Sequence, residues 1–269
     1  MFNLPPDFKI DPSVLIFYSG APHLNSGLAP FTWHPLRQAS ESPDRLGLEL
    51  GFGNYIHHLY PTHRIAVIKH AHSGTNLYHD WNPGQNSTDS SDWGEQFSVF
   101  VHTVNLGMKK LNAAGYKPII KAVLWQQGES DADKGGAIAM SYGTNLSHFI
   151  ARVREQFHLP HLLFIYGYVY PPPNEGKGIG DVRKAEFEID QNSGDSLAVQ
   201  GAFVVPTEGL SLRANDPHTP YPNDHIHFGT KGILELGYRM AKAVKEHDSA
   251  AGRKENNSSF AGLLYKPDF

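Results

Sequence analysis

The sequence predicts one α/β domain around a doubly wound parallel sheet, and three features carry that prediction. Short aliphatic and β-branched runs alternate with longer amphipathic stretches, so strand and helix follow one another along the chain. In the longer stretches apolar residues return every three or four positions, the period of a helix with one covered face. At 269 residues the chain is long enough to bury a substantial core within a single domain.

Taken in order, residues 14–18 and 65–69 are almost wholly aliphatic or aromatic and read as the first strands. Residues 95–114 read as a helix, with Phe97, Val101, Val104, Met108 and Leu111 on one face. Strand 119–125, helix 138–157, strand 162–168, helix 181–191 and strand 203–205 follow on the same criteria, and helix 230–246 closes the domain. Ligands of such a sheet bind outside the carboxyl ends of the strands, so a site should assemble after Lys69, Leu124, Tyr168 and Val205. The Pro- and Gly-rich loop 171–178 cannot be helix or central strand and is placed to form a substrate wall or a solvated connection. From about residue 249 the chain turns polar, which marks 1–248 as the domain and 249–269 as a tail.

Composition removes several function classes. A formal net charge of −4, with 19% charged residues and no long Lys or Arg run, gives no footprint for nucleic acid or an anionic membrane surface. No apolar stretch approaches the length of a membrane span, and residues 1–12 have neither a basic nor an apolar leader region, so a soluble chain without a signal peptide is expected and the compartment stays open. The chain contains no cysteine, which excludes thiolate catalysis and Cys-ligated metals. Its 16 histidines, among them His70, His72, His225 and His227, raise a zinc reading, yet spacing supplies no third convergent ligand. No metal and no cofactor is expected.

Two motifs carry chemistry. The run Trp125-Gln126-Gln127-Gly128-Glu129-Ser130-Asp131 follows an apolar strand and places a dense polar loop at its carboxyl end. Far downstream, Asp224-His225-Ile226-His227-Phe228 leads into Gly229 and a helix. An aspartate three residues before a histidine can hold the imidazole in one tautomer while its other nitrogen faces a nucleophile. By itself that spacing also suits a surface loop.

Together the two motifs resemble the carbohydrate-esterase branch of the SGNH hydrolases, with its sialate O-acetylesterase and acetylxylan esterase types. The resemblance implies a flavodoxin-like three-layer sandwich that removes acetyl groups from sugar hydroxyls through a serine acyl-enzyme, without a metal. It implies Asp224 as orienting acid, His227 as base, and Gln127 with Gly74 as oxyanion donors. Gly128 and Glu129 would support that loop, while Trp81 and Asn76 would lie on the sugar side. An acetylated carbohydrate is the expected partner, with no nucleic acid and no membrane; oligomeric state stays open. The family's nucleophile belongs to a Gly-Gln-Ser-Asn block near the N-terminus, and no such block occurs here. On the best register the chain begins after it, so the first strand, central in the family's sheet, is expected to be missing and its neighbours to lack backbone partners. Ser73 and Ser130 are the serines inside the proposed site, and neither sits on the required strand-end turn. The rival readings are an inactive sugar-binding homologue and a histidine-rich metal hydrolase.

Overall fold

Six short strands and the helices between them are seen in the computed structural model, which describes residues 3–20, 29–42, 45–169, 177–219 and 221–251. In chain order they are β1 (Leu15–Tyr18), β2 (Trp33–Pro35), α1 (Glu49–Leu59), β3 (Ala66–Lys69), α2 (Glu95–Ala113), β4 (Ala122–Trp125), α3 (Glu129–Lys134), α4 (Gly136–Met140), α5 (Tyr142–Gln156), β5 (Leu163–Gly167), α6 (Ile179–Ile189), β6 (Ala202–Val205) and α7 (Thr230–Ala251). Five of the six strands fall where apolar runs placed them. The sixth, β2, has only three residues and ends in proline, too short for any periodicity to show. Most of the proposed substrate-wall loop lies outside the described residues, as does 252–269. Helix α7 runs past the boundary expected at 248.

The sheet departs from the single one expected. Among the described residues the strands form two three-stranded sheets, in the orders β2-β1-β3 and β4-β5-β6. Strand β1 lies antiparallel to β2 and parallel to β3, with Ile16 opposite Val67. Strand β5 is parallel to both β4 and β6, with Leu124 opposite Ile165. No ladder joins β3 to β4. Burial follows the gap: every residue of β5 is buried, as befits a strand covered on both faces, whereas all of β3 and Ala122 to Leu124 of β4 are only half-buried.

Helices cover both faces and hold the half-sheets together. On one side α2, α5 and α6 pack over Phe164 and Tyr166 of β5; on the other α1 and α7 pack over Leu163 and Ile165. This alternation is the period of a strand. Helix α1 was not expected, because Gly51 and Gly53 lower its intrinsic propensity. The reason for one of them lies in the packing. A Cβ on Gly51 would stand 2.2 Å from the Leu234 carbonyl oxygen, and one on Gly237 would stand 2.4 Å from the Phe52 nitrogen, so α1 and α7 approach backbone to backbone. The helix predicted from 138 starts instead at Tyr142, since Gly135 and Gly136 adopt φ of +65° and +54° and divide the segment into short helices first.

Candidate active site

Three loops at the strands' carboxyl ends, after β3, β4 and β6, carry the residues that the motifs single out. Two of them are joined through Asp131. Its carboxylate is fully buried and accepts the Leu77 N–H at 2.9 Å, the Tyr78 N–H at 3.2 Å and the Gln127 side-chain amide at 2.7 Å. Burial raises its pKa, and these donors oppose the rise. Asp131 stands inside α3 and ties the loop after β4 to the loop after β3. Ser130 adds a second tie, donating to the Gly74 carbonyl at 3.1 Å.

The loop after β6 holds Asp224 and His227 in contact. Nδ1 of His227 lies 3.0 Å and 2.9 Å from the two carboxylate oxygens, and the ring is 61% exposed. The same carboxylate accepts the backbone N–H groups of Ile226 and His227, and Arg213 reaches its Oδ2 at 3.0 Å. Burial acts to raise the Asp224 carboxyl, but the hydrogen bonds from His227 and Ile226 outweigh it and hold the group at about 2. A carboxyl held below its ordinary value lends stability that is complete above about pH 4 and is lost as pH falls through about 2. The unfolding temperatures of the parent and Asp224→Asn should therefore differ at pH 5 and converge toward pH 2. A gap constant over that range would show that Asp224 does not titrate as the contacts require.

The other expected residues are placed as follows. Gly74 has φ of +73°, a Cβ there would meet open space, and no group among the described residues accepts its N–H. Gln127 uses its side-chain amide twice, toward Asp131 and toward the Thr75 carbonyl at 3.2 Å, while the Tyr142 hydroxyl donates to its backbone carbonyl at 2.6 Å. Gly128 has φ of +147°, and a Cβ would fall 2.4 Å from Val169, so the turn leaves no room for a side chain. Glu129 is exposed as a residue, while protein atoms crowd its carboxyl group. That enclosure raises its pKa, and the charge of nearby His227 opposes the rise.

Two residues assigned to the sugar side do not offer it a side chain. The Trp81 indole is 6% exposed, meets Trp125 edge-on at 5.1 Å, and donates to Thr75 Oγ1. It belongs to the aromatic core because the apolar surface beneath the loop needs a large ring to fill it. Asn76 is 8% exposed, and its amide is consumed by Asp80 and the His79 N–H in a local turn.

Each serine near the site is committed elsewhere. The Ser73 hydroxyl donates to Glu41 and that of Ser130 to Gly74. Ser19 stands at the end of β1, and matching the Gly20-Ala21-Pro22-His23 run that follows it to the Gly-Gln-Ser-Asn block would set proline where the serine belongs. The Ser19 hydroxyl lies 2.7 Å from Nδ1 of His70, whose Nε2 lies 2.9 Å from the Gln96 amide oxygen. Taking that oxygen as acceptor puts the ring proton on Nε2, so Ser19 donates to Nδ1. Burial pushes His70 down to about 4 and keeps it neutral; Ser19 is 3% exposed, while the His70 ring is half-buried and lines the cavity beside β3. Among the described residues no serine contacts His227, and no three His, Asp or Glu side chains gather as a metal site would require. Arg213 and Glu41 lie outside both motifs, and Asp131, though it ends the first of them, gives no sign in sequence of the distant loop whose N–H groups it accepts.

Comparison with known proteins gives one consistent family. A family model described as carbohydrate esterase, sialic acid-specific acetylesterase, matches residues 4–246. A probable carbohydrate esterase of Arabidopsis thaliana is 32% identical over 124 residues, which is 46% of this chain and only 40% of that protein. The solved structure of the same Arabidopsis protein superposes with a TM-score of 0.64 at 23% identity, over 91% of this chain and 85% of that one. A carbohydrate acetylesterase from Xanthomonas citri superposes at 0.58 with 15% identity, over 89% of this chain and half of that one. At those identities the two structures speak for the fold alone.

Proposed function

Because the chain belongs to the carbohydrate esterase family of sialic acid-specific acetylesterase type, we propose that its cleft is built to take O-acetyl groups off a sugar, with Asp224 and His227 as the acid–base half of a serine mechanism. The observation that carries this reading is the Asp224–His227 contact, with the carboxylate locked by two backbone N–H groups and Nε2 without a hydrogen-bond partner among the described residues. His227 takes the proton from an attacking hydroxyl and returns it to the leaving sugar oxygen, while Asp224 keeps the imidazole in the productive tautomer. The Gly74 N–H is the oxyanion donor that stands ready. Gln127 becomes a second one by exchanging its longer contact, to Thr75, for the substrate oxygen. Gly128 lets that loop turn, and Glu129 steadies the positive charge that His227 acquires during the reaction. Trp81 and Asn76 act on the sugar side indirectly, by holding the shape of the loop that carries Gly74.

The nucleophile is the part these residues do not supply. On this reading the 269 residues by themselves form a docking cleft for an acetylated carbohydrate and hydrolyse it at the background rate, which also favours the rival view of an inactive sugar-binding relative. Hydrolysis of 4-nitrophenyl acetate should match that of Ser73→Ala and Ser130→Ala. A robust rate that either substitution abolishes would put the nucleophile in the present site and overturn the assignment.

A further inference from the structure

The aromatic surface that a sugar ring needs is not supplied by tryptophan in the loops of the site. Trp81 and Trp125 are 6% and 7% exposed and belong to the core, and Trp93 is half-buried against Phe97, whose ring it meets at 5.0 Å. In the loops that carry the site, the large apolar side chains left exposed among the described residues are Tyr78, at 38%, and Ile226, at 48%. Only the first is aromatic.

The core does not call for the Tyr78 ring. Leu77, its neighbour, is 1% exposed and fills the apolar space beneath the turn, so the two side chains face opposite ways. The Tyr78 ring meets that of His79 in a T-shaped contact, with centroids 4.6 Å apart. A single contact of that kind leaves at least one face of the phenol ring without an aromatic neighbour. The backbone that carries the ring is nevertheless fixed beside the acyl site. The Tyr78 N–H donates to Oδ1 of Asp131 at 3.2 Å, while Oδ2 of the same carboxylate accepts the Gln127 amide at 2.7 Å. One buried carboxylate thus holds both the residue that bears the ring and the side chain assigned to the acyl oxygen. The Asn82 amide, donating to the Tyr78 carbonyl at 3.4 Å, braces the same turn.

We propose that Tyr78 is the specificity-determining platform on which the pyranose ring of the acetylated sugar stacks, with its acetyl group turned toward Gly74, Gln127 and His227. The inference rests on the carbohydrate-esterase reading above and names the side chain that recognises the sugar. The negative face of the phenol ring attracts the slightly positive C–H bonds on the face of a pyranose, and apolar surface leaves water on both partners. Asp131 keeps the ring in place before the sugar arrives, so little ordering remains for binding to impose.

The test measures binding by the 269-residue chain, which needs no nucleophile. The probes are acetylated xylotriose, acetylated cellotriose and O-acetylated N-acetylneuraminic acid. With whichever of them the parent binds most tightly, Tyr78→Ala should weaken binding by about three- to tenfold. Tyr78→Phe should weaken it by no more than about twofold, and both variants should unfold within about 2 °C of the parent. In the parent, irradiating the aromatic proton resonances should transfer saturation mainly to the C–H protons of the sugar ring. Binding that alanine leaves unchanged would overturn the platform and spare the esterase reading. So would an equal loss in the alanine and phenylalanine variants, since the hydroxyl would then be the contact. Saturation confined to the acetyl methyl group would overturn the platform whatever the variants do. If the parent binds none of the probes, the reading on which the platform rests fails with it.

Discussion

Joining an apolar strand that ends in Gly-Gln-Ser-Asn ahead of Met1 should raise acetyl-ester turnover by several orders of magnitude, since loss of the nucleophile from a triad enzyme costs roughly a millionfold. A strand running parallel to β3 and β4 ends at the rim where their loops carry Gly74 and Gln127 and where Glu129 feels the charge of His227. Its terminal serine would enter the space in front of an imidazole whose tautomer Asp224 already fixes. The connection is feasible, because the Asn3 N–H donates to the His218 carbonyl, in the loop that also carries Asp224 and His227. In the joined protein, His227→Ala should return hydrolysis to background while leaving the unfolding temperature high. A fusion that is stabilised yet inactive would sink the catalytic assignment.

Asp131→Ala should lower stability by about 2–4 kcal/mol, a fall of about 10 °C in unfolding temperature for a domain of this size. Removing the carboxylate relieves the cost of burying it, but it strands the Leu77 and Tyr78 N–H groups and one hydrogen of the Gln127 amide, all of which face a site closed to water. Three stranded donors outweigh one relieved acceptor. Asp131→Asn should cost nearly as much, since its amide N–H₂ must face one of the same donors. Calorimetry of the parent and both variants decides it; a loss under about 1 kcal/mol in either would mean that the loops are held together by other contacts.

The parts of the site legible in the sequence were those whose partners are near in the chain. Asp224 and His227 lie three residues apart, and their contact needs only the local turn. Gln127, Gly128 and Glu129 were legible as a loop because an apolar strand precedes them. Asp131 was not, because its donors come from residues 77 and 78 and no local rule records the meeting of two loops. Trp81 shows the same limit, since an indole that stacks on a sugar and one that fills a core have the same neighbours in sequence. The divided sheet was legible only as an expected lack of partners for certain strands. Where the gap would fall, between β3 and β4, depended on a strand order that apolar runs do not specify.

The backbone approach of α1 and α7 bears on how the chain matures. Helix α1 lies in the first quarter of the sequence and α7 at the end of the described part, yet they form the most extensive helix–helix contact and close one face across both half-sheets. During synthesis, the face of α1 around Gly51 that meets α7 has no cover until Thr230 and the residues after it have left the ribosome. The amino-terminal half must therefore wait, unsealed, for the last helix, as expected where contacts of long sequence separation dominate. Nascent chains arrested before Thr230 should be cut readily by protease within 45–60, and chains carrying α7 free of the exit tunnel should resist.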